Sequence, residues 1–210
     1  MHLTRLVVLA RFAISVCLIA LIQGCVSVPA SKPVENVAAL SSHQQHLKLI
    51  STIQAFSLKG RIGVQTEGKG FSGGMQWQHA LAQDDIALYS PLGGQIANIK
   101  KTPASVTLED AKGNSVTAAD AESLTQKALG WKLPLTGLAD WSLGRPNSSP
   151  IDSIAWDDAG QITRLVQDGW DIEYADYVAF EGKQLPNKVY LRSPKVNIKL
   201  IVENRFSVTP

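Results

Sequence analysis

Cysteine is almost absent from this 210-residue chain, which has only Cys17 and Cys25. With Cys17 inside an apolar run, one thiol remains outside it, and no disulfide framework is available to staple the fold. Histidine is scarce too: beyond His2 there are His43, His46 and His79. A surplus of charge is also missing. Residues 1–24 hold Arg5 and Arg11 of the 20 Lys+Arg and none of the 18 Asp+Glu, so the other 186 positions balance at 18 against 18. That neutrality argues against nucleic acid as the partner, since a phosphate backbone calls for an excess of Lys and Arg. With 45% apolar and 18% charged residues the chain is not disordered, and its length suits one domain with a real core.

Catalytic patterns are lacking in context. Gly63 to Lys69 (GVQTEGK) matches the first seven positions of a P-loop, and Gly68 to Gly73 (GKGFSG) matches GxGxxG. The P-loop needs Ser or Thr where Gly70 stands, and both motifs need a following helix, whereas residues 71–79 alternate as a strand. Glycines in a hairpin turn account for both. No GxSxG elbow occurs. His43 and His46 stand at i, i+3 on a candidate helix without neighbouring ligands, so no metal site follows. His79 reads as a half-buried structural residue, and the pairs Asp84-Asp85 and Asp157-Asp158 read as solvated acids at turns. No catalytic residue, metal or cofactor is assigned, and an enzyme is unsupported.

The opening segment has a charged start and an apolar run from Phe12 to Ile22, the layout of a secretory signal and short for a spanning helix. Ile22-Gln23-Gly24-Cys25 resembles a bacterial lipobox, which implies cleavage before Cys25 and acylation of that residue. Two or three fatty chains at about 0.8 kcal/mol per buried methylene hold a protein on a bilayer stably. Val26 stands where an Asp would signal inner-membrane retention in an enterobacterial-type host, which implies sorting to the outer membrane. Residues 25–39, with Pro29 and Pro33 and few large apolar side chains, read as lipidated N-terminus and flexible tether. The folded domain is expected over 40–210.

Its first element is a helix capped by Ser41 and Ser42, with Leu40, Leu47, Ile50 and Ile53 on one face. From Phe56 the apolar period changes to two. Phe71, Gly73, Met75, Trp77 and His79 alternate with polar or small residues. Trp170, Ile172 and Tyr174, then Val196, Ile198, Leu200 and Val202, do the same. Shorter strands are expected at 84–90, 95–100, 104–109, 114–118, 151–156, 161–167 and 187–193, punctuated by Gly- and Asp-rich turns. Close spacing predicts antiparallel meander pairing. Between 118 and 151 the pattern turns helical: Asp120 caps one helix that stops at Gly130, and a second carries Leu138, Trp141 and Leu143. The expected fold is mainly β, a curled, incomplete antiparallel β-barrel of about eleven strands under a helical lid, enclosing an apolar space.

Three blocks in order, FSLKGRIGV at 56–64, SPLG at 90–93 and GWKLPLTGLADWSLG at 130–144, resemble the outer-membrane lipoprotein receptor family LolB. The chain departs from that pattern at Gln23 and in the glycine-rich 68–74 stretch. The resemblance implies a half-open barrel with a hydrophobic cavity that accepts lipoproteins from the periplasmic carrier LolA, facing the periplasm from the inner leaflet of the outer membrane, as a monomer. It also implies that the apolar residue of the Pro91-Leu92-Gly93 loop protrudes and helps place cargo in the membrane. From the residues themselves, Pro91 and the glycines leave Leu92 as the one large apolar side chain at the tip. Trp77, Leu88, Trp141, Leu165, Ile172 and Tyr174 are the expected acyl-chain cavity wall, although alternation marks a buried face without saying whether it is filled. A carrier of free lipid or lipopolysaccharide, or a structural lipoprotein of an outer-membrane assembly, remains open.

Overall fold

The computed structural model describes residues 37–129 and 133–209. The signal segment, Cys25, the first part of the tether and the block's Gly130, Trp131 and Lys132 lie outside the described residues. Residues 36–210 form one compact unit.

Helix α1 (Val37–Ser51) is followed by strands β1 (Ala55–Thr66), β2 (Gly70–Ala80), β3 (Gln83–Tyr89), β4 (Gln95–Lys101), β5 (Val106–Asp110) and β6 (Ser115–Ala118). Helices α2 (Ala121–Leu129) and α3 (Leu135–Ser142) then lead to β7 (Ile151–Trp156), β8 (Ile162–Gln167), β9 (Trp170–Phe180), β10 (Lys183–Arg192) and β11 (Val196–Thr209). All eleven strands make one antiparallel sheet in the order β6-β5-β4-β3-β2-β1-β11-β10-β9-β8-β7. The chain thus starts at the centre, steps outward by hairpins to one edge, and re-enters at the opposite edge to step back until β11 meets β1. β6 and β7 stay unpaired with each other, so the barrel is half-open as expected. The segment joining those two edges carries α2 and α3.

Alternation decides which face is buried. In β1, Phe56, Leu58, Ile62 and Val64 point into the core while Lys59 and Arg61 face out. Irregular pairing with β11 at Ser57/Leu58 and Lys59/Gly60 adds local twist, which favours curling. The core is a single cluster that joins inward residues of the sheet to Ile50, Leu124, Leu135, Leu138 and Trp141 of the helices. With its own complete set of strand pairings and its own core, the 36–210 unit carries what it needs to fold alone. The glycine-rich 63–74 region is the β1–β2 hairpin, and strand rather than helix follows it.

Three expectations are corrected. Helix α1 begins at Val37, inside the stretch read as tether, so Ser41 and Ser42 are helical residues and not caps. Its buried face is Ala39, His43, His46 and Ile50, with Leu40 and Leu47 only half-buried. The cause is tertiary. His43 Nδ1 donates to Gly160 O at 2.9 Å and its ring stacks on Trp156 at 4.2 Å between centroids. A side-chain carbon on Gly160, at φ 81°, would fall 2.3 Å from His43 N, so the β7–β8 turn and the helix touch backbone to backbone. Finally, β10 extends back through Pro186, a residue that normally interrupts a strand. β11 pairs with β10 only over Lys188–Arg192, so the proline owes β11 no ladder bond; its carbonyl instead accepts from Arg205 Nη2 at 2.5 Å.

Candidate functional site

The β3–β4 connection is a tight reversal. Gly93 N donates to Ser90 O at 2.9 Å and Ser90 N to Gly94 O at 2.8 Å. Pro91 supplies the fixed φ of the second turn position, and Gly93 takes φ 90°, which only glycine adopts without strain. Ser90 and Gly94 thus close a three-residue loop of a kind common in hairpins, and one residue farther back the pairing slips after Leu88, leaving Ile96 as a bulge. This backbone holds Leu92 at the tip, 98% exposed. The side chain has no place under its own loop, and the 1.5–3 kcal/mol that burial of a leucine typically contributes is unrealised in water.

In an antiparallel meander alternate turns fall at one end of the sheet, so the β1–β2 and β3–β4 turns share an end. At that end the inner face of β1–β4 opens into an apolar cavity of about 210 Å³. Val64, Phe71, Leu88, Ile96 and Ala97 line it, with Lys69 and Gly70 at the β2 end. Of the expected wall residues, Leu88 lines this cavity; Trp77, Trp141, Leu165, Ile172 and Tyr174 are buried in the continuous core beneath the helices. Val64, Phe71 and Ile96 were not among the expected wall residues. For Val64 and Phe71 the signal was position as well as parity, since each is an inward residue close to a turn at the open end; Ile96 has the opposite parity to inward Ala97 and Ile99 and is brought in by the bulge. The volume is below the 300–1,000 Å³ of common ligand pockets, so a long chain needs more room than this state offers.

The helices wall the inner face of the sheet. Asp120 Oδ1 accepts from Ser123 N at 2.7 Å, the expected cap of α2. Thr125 Oγ1 donates to Ala121 O and accepts from Leu133 N, both at 2.8 Å, tying the two lid helices together. On the other side α3 is latched firmly. Gln167, fully buried on β8, accepts from Trp141 Nε1 at 2.9 Å and from Asn147 N at 3.1 Å, and donates to Ser149 O at 2.7 Å. Arg145 donates to Asp140 at 2.7 Å and to Ile50 O at 2.5 Å. No comparable side-chain latch holds α2 to β5 or β6 among the described residues. Tyr174 Oη is buried without a partner, and burial drives the phenol well above its ordinary pKa of 10.

At the opposite end Asp84 departs from the solvated turn acid expected of it. Its side chain is wholly buried and accepts from Trp77 Nε1 at 2.9 Å, His79 Nδ1 at 2.7 Å and Lys101 Nζ at 3.3 Å. Burial pushes its carboxyl up, but the hydrogen bonds from His79 and Trp77 and the charges of His79 and Lys101 outweigh that and hold it below the ordinary 3.8. His79, only 11% exposed, is engaged by this carboxylate and has Phe56 stacked on it at 5.0 Å. The cluster braces the sheet and forms no nucleophile–base pair. Among the described residues no group of three His, Cys, Asp or Glu side chains is placed to hold a metal ion.

Residues 54–204 match the family model "Outer membrane lipoprotein LolB". The chain is 30% identical over 194 residues to the outer-membrane lipoprotein LolB of Pseudomonas syringae pv. syringae, covering 92% of this chain and 95% of that one. It is 39% identical over 150 residues to that of Thiobacillus denitrificans, covering 71% and 79%. Among solved structures, a LolA superfamily protein from Nitrosomonas europaea superposes with a TM-score of 0.50 at 8% identity, over 80% of this chain and 92% of that one. That last likeness concerns the fold alone.

Proposed function

The chain belongs to the outer-membrane lipoprotein LolB family, and from that premise we propose that it serves lipoprotein localisation as the acceptor at the outer membrane. It takes acylated lipoproteins from the periplasmic carrier LolA and releases their acyl chains into the bilayer. Acylated Cys25 anchors it to the inner leaflet, and the residues up to the start of α1 tether the domain in the periplasm.

The energetics favour a protected handover. A chain of about 16 carbons in water costs on the order of 12 kcal/mol at about 0.8 per methylene, so free diffusion of cargo is prohibitive. Transfer from one apolar cavity to another avoids most of that cost and needs no nucleotide. Direction follows from relative affinity, with the bilayer as the final sink. The hollow bounded by Val64, Phe71 and Leu88 receives the chain first. Outward movement of α2, which has no side-chain latch to β5 or β6 among the described residues, about its Thr125 tie to Leu133 extends the hollow toward Trp77 and Ile172, while α3 stays pinned through Gln167. Leu92 then enters the bilayer and brings the open end of the sheet to the lipid.

The observation that supports this most is the placement of an apolar cavity at the same end of the sheet as a leucine 98% exposed on a rigid turn. The test is acyl transfer from loaded LolA to the 36–210 unit with a photoreactive probe at Phe71 or at outward-facing Gln78. Crosslinking of acyl chain to position 71 and not to 78 is expected. Cargo that stays on the carrier, or crosslinks equally at both sites, would refute the reading. Capture of free lipid with no capture of lipoprotein would assign the cavity to a lipid carrier instead.

A further inference from the structure

The glycine-rich stretch that departs from the family pattern lies beside the Leu92 loop, on the outer face of the sheet. Arg61 of β1, Gly74 of β2 and Tyr89 of β3 are cross-strand partners in one row. Gly74 carries no side chain between its two neighbours, and the row becomes a groove of about 520 Å³ with a backbone floor. Lys59 and Arg61 stand on one side; Tyr89, Pro91 and Gly93 stand on the other. Pro91 and Gly93 flank Leu92 in the chain, so whatever touches the leucine lies within about one residue's span, roughly 3.8 Å, of the groove's rim.

Several cations elsewhere on the outer face are paired with acids. Arg164 pairs with Asp171 at 2.7 Å, Arg192 with Glu173 at 2.6 Å, and Lys188 with Asp176. Lys59 and Arg61 have neither an ion pair nor a side-chain hydrogen bond among the described residues, and Glu203, which lines the same groove, pairs with neither. Two unpaired cations against the single carboxylate of Glu203 leave the groove net positive over bare backbone, a cradle for a compact anion with several acceptor oxygens. Arginine suits phosphate because its planar fork donates two parallel hydrogen bonds.

We propose that this groove seats the phosphate of an anionic glycerophospholipid when the Leu92 loop enters a bilayer. The proposal rests on the reading of Leu92 as a membrane-entering residue and adds a headgroup contact at the base of the same loop. The tip gives apolar insertion, and Lys59 and Arg61 give a preference for negatively charged membrane. Release of cargo is thereby biased toward anionic patches of the leaflet. The glycine at 74 serves to keep the floor low enough for the headgroup to reach both cations.

The test is sedimentation of the 36–210 unit with vesicles of pure phosphatidylcholine and with vesicles one-third phosphatidylglycerol. The readout is the ratio of the two partition coefficients. A cation near an anionic surface contributes about fivefold, and with Glu203 offsetting one of the two cations a ratio of roughly five is expected for the wild type. Lys59→Gln with Arg61→Gln brings it close to one without lowering the melting temperature or the binding to neutral vesicles. Arg164→Gln, which removes a paired cation elsewhere on the outer face, changes it less than twofold. Leu92→Glu lowers binding to both vesicle types. A wild-type ratio near one, or a ratio that survives the double substitution, overturns the proposal. Loss of acceptance from the carrier in the absence of vesicles would assign the two cations to a protein surface and overturn it as well. If instead Leu92→Glu binds neutral vesicles like the wild type, it is the insertion reading that fails.

Discussion

Replacing Leu92 by Glu separates folding from delivery because of where the side chain sits. At 98% exposure it contributes almost nothing to the folded state in water, and the third position of a type I turn accepts a glutamate. The melting temperature is therefore expected to stay within the range of an ordinary surface change, about 0.5 kcal/mol or less. In the bilayer the accounting differs. Burying a leucine contributes about 1.5–3 kcal/mol, which at 1.4 kcal/mol per factor of ten is roughly 10- to 150-fold in partition. A carboxylate forfeits that gain and adds a desolvation cost of its own. In a two-step assay, loaded carrier is first mixed with the protein and vesicles are added afterwards. Acceptance should be nearly unchanged and release into vesicles should fall by at least tenfold, with Leu92→Ala intermediate. Loss of folding would show that the leucine belongs to the core. Unchanged release would show that the tip does not enter lipid.

Other sites give independent tests. Asp84→Ala strips the acceptor from Trp77, His79 and Lys101 and should cost about 2–4 kcal/mol in urea unfolding, since three donors lose their partner; a cost under about 0.5 kcal/mol would show that the network contributes nothing. Because the Asp84 carboxyl is held below 3.8 in the fold, its contribution is complete above that value and disappears as pH falls through the folded value. The wild type should therefore lose more stability than Asp84→Asn on acidification below about pH 4, and parallel curves would refute this. Burial, aided by repulsion from His43 and opposed by Asp157, lowers the pKa of His46, whose Nε2 is buried without a partner. Neutral His46 thus stabilises α1 docking fully above 6.5, and that stability is lost as pH drops through the lower folded value. Protection factors over 37–51, corrected for the intrinsic pH dependence of exchange, should fall as pH drops below 6.5 in the wild type and much less in His46→Gln; equal loss of protection would count against it. Gln167→Leu leaves Trp141 Nε1 and the 147–149 backbone unpartnered, at a cost of about 2–4 kcal/mol, and should loosen α3 in exchange measurements; full protection of α3 would disprove the latch.

Strand parity was legible because a half-buried sheet alternates. Phe71, Met75 and Trp77 were placed on one face by sequence, and the structure buries or half-buries them on that face. The turn at Pro91 and Gly93 was legible for a similar local reason, since proline and glycine restrict φ whatever surrounds them. Helix α1 was not legible in its facing. Its leucines outrank its histidines in hydrophobicity, yet His43 and His46 are buried because Trp156, Gly160 and Tyr177 present the complementary rings and backbone. Asp84 misled for the same reason: a carboxylate next to a turn is normally solvated, and the three donors that desolvate it come from β2 and β4.

By itself, then, the sequence determined that the chain is an antiparallel meander with a leucine at a tight turn, since periodicity, proline and glycine act within a few residues. It also carried the family pattern in three ordered blocks. Only the tertiary structure decided how much of the inner face is hollow, because filling depends on which side chains from distant strands and helices meet there. Trp77 and Ile172 of the sheet and Trp141 of α3 fill the interior, whereas Val64, Phe71 and Leu88, toward the end of the sheet that carries the β1–β2 and β3–β4 turns, line the cavity.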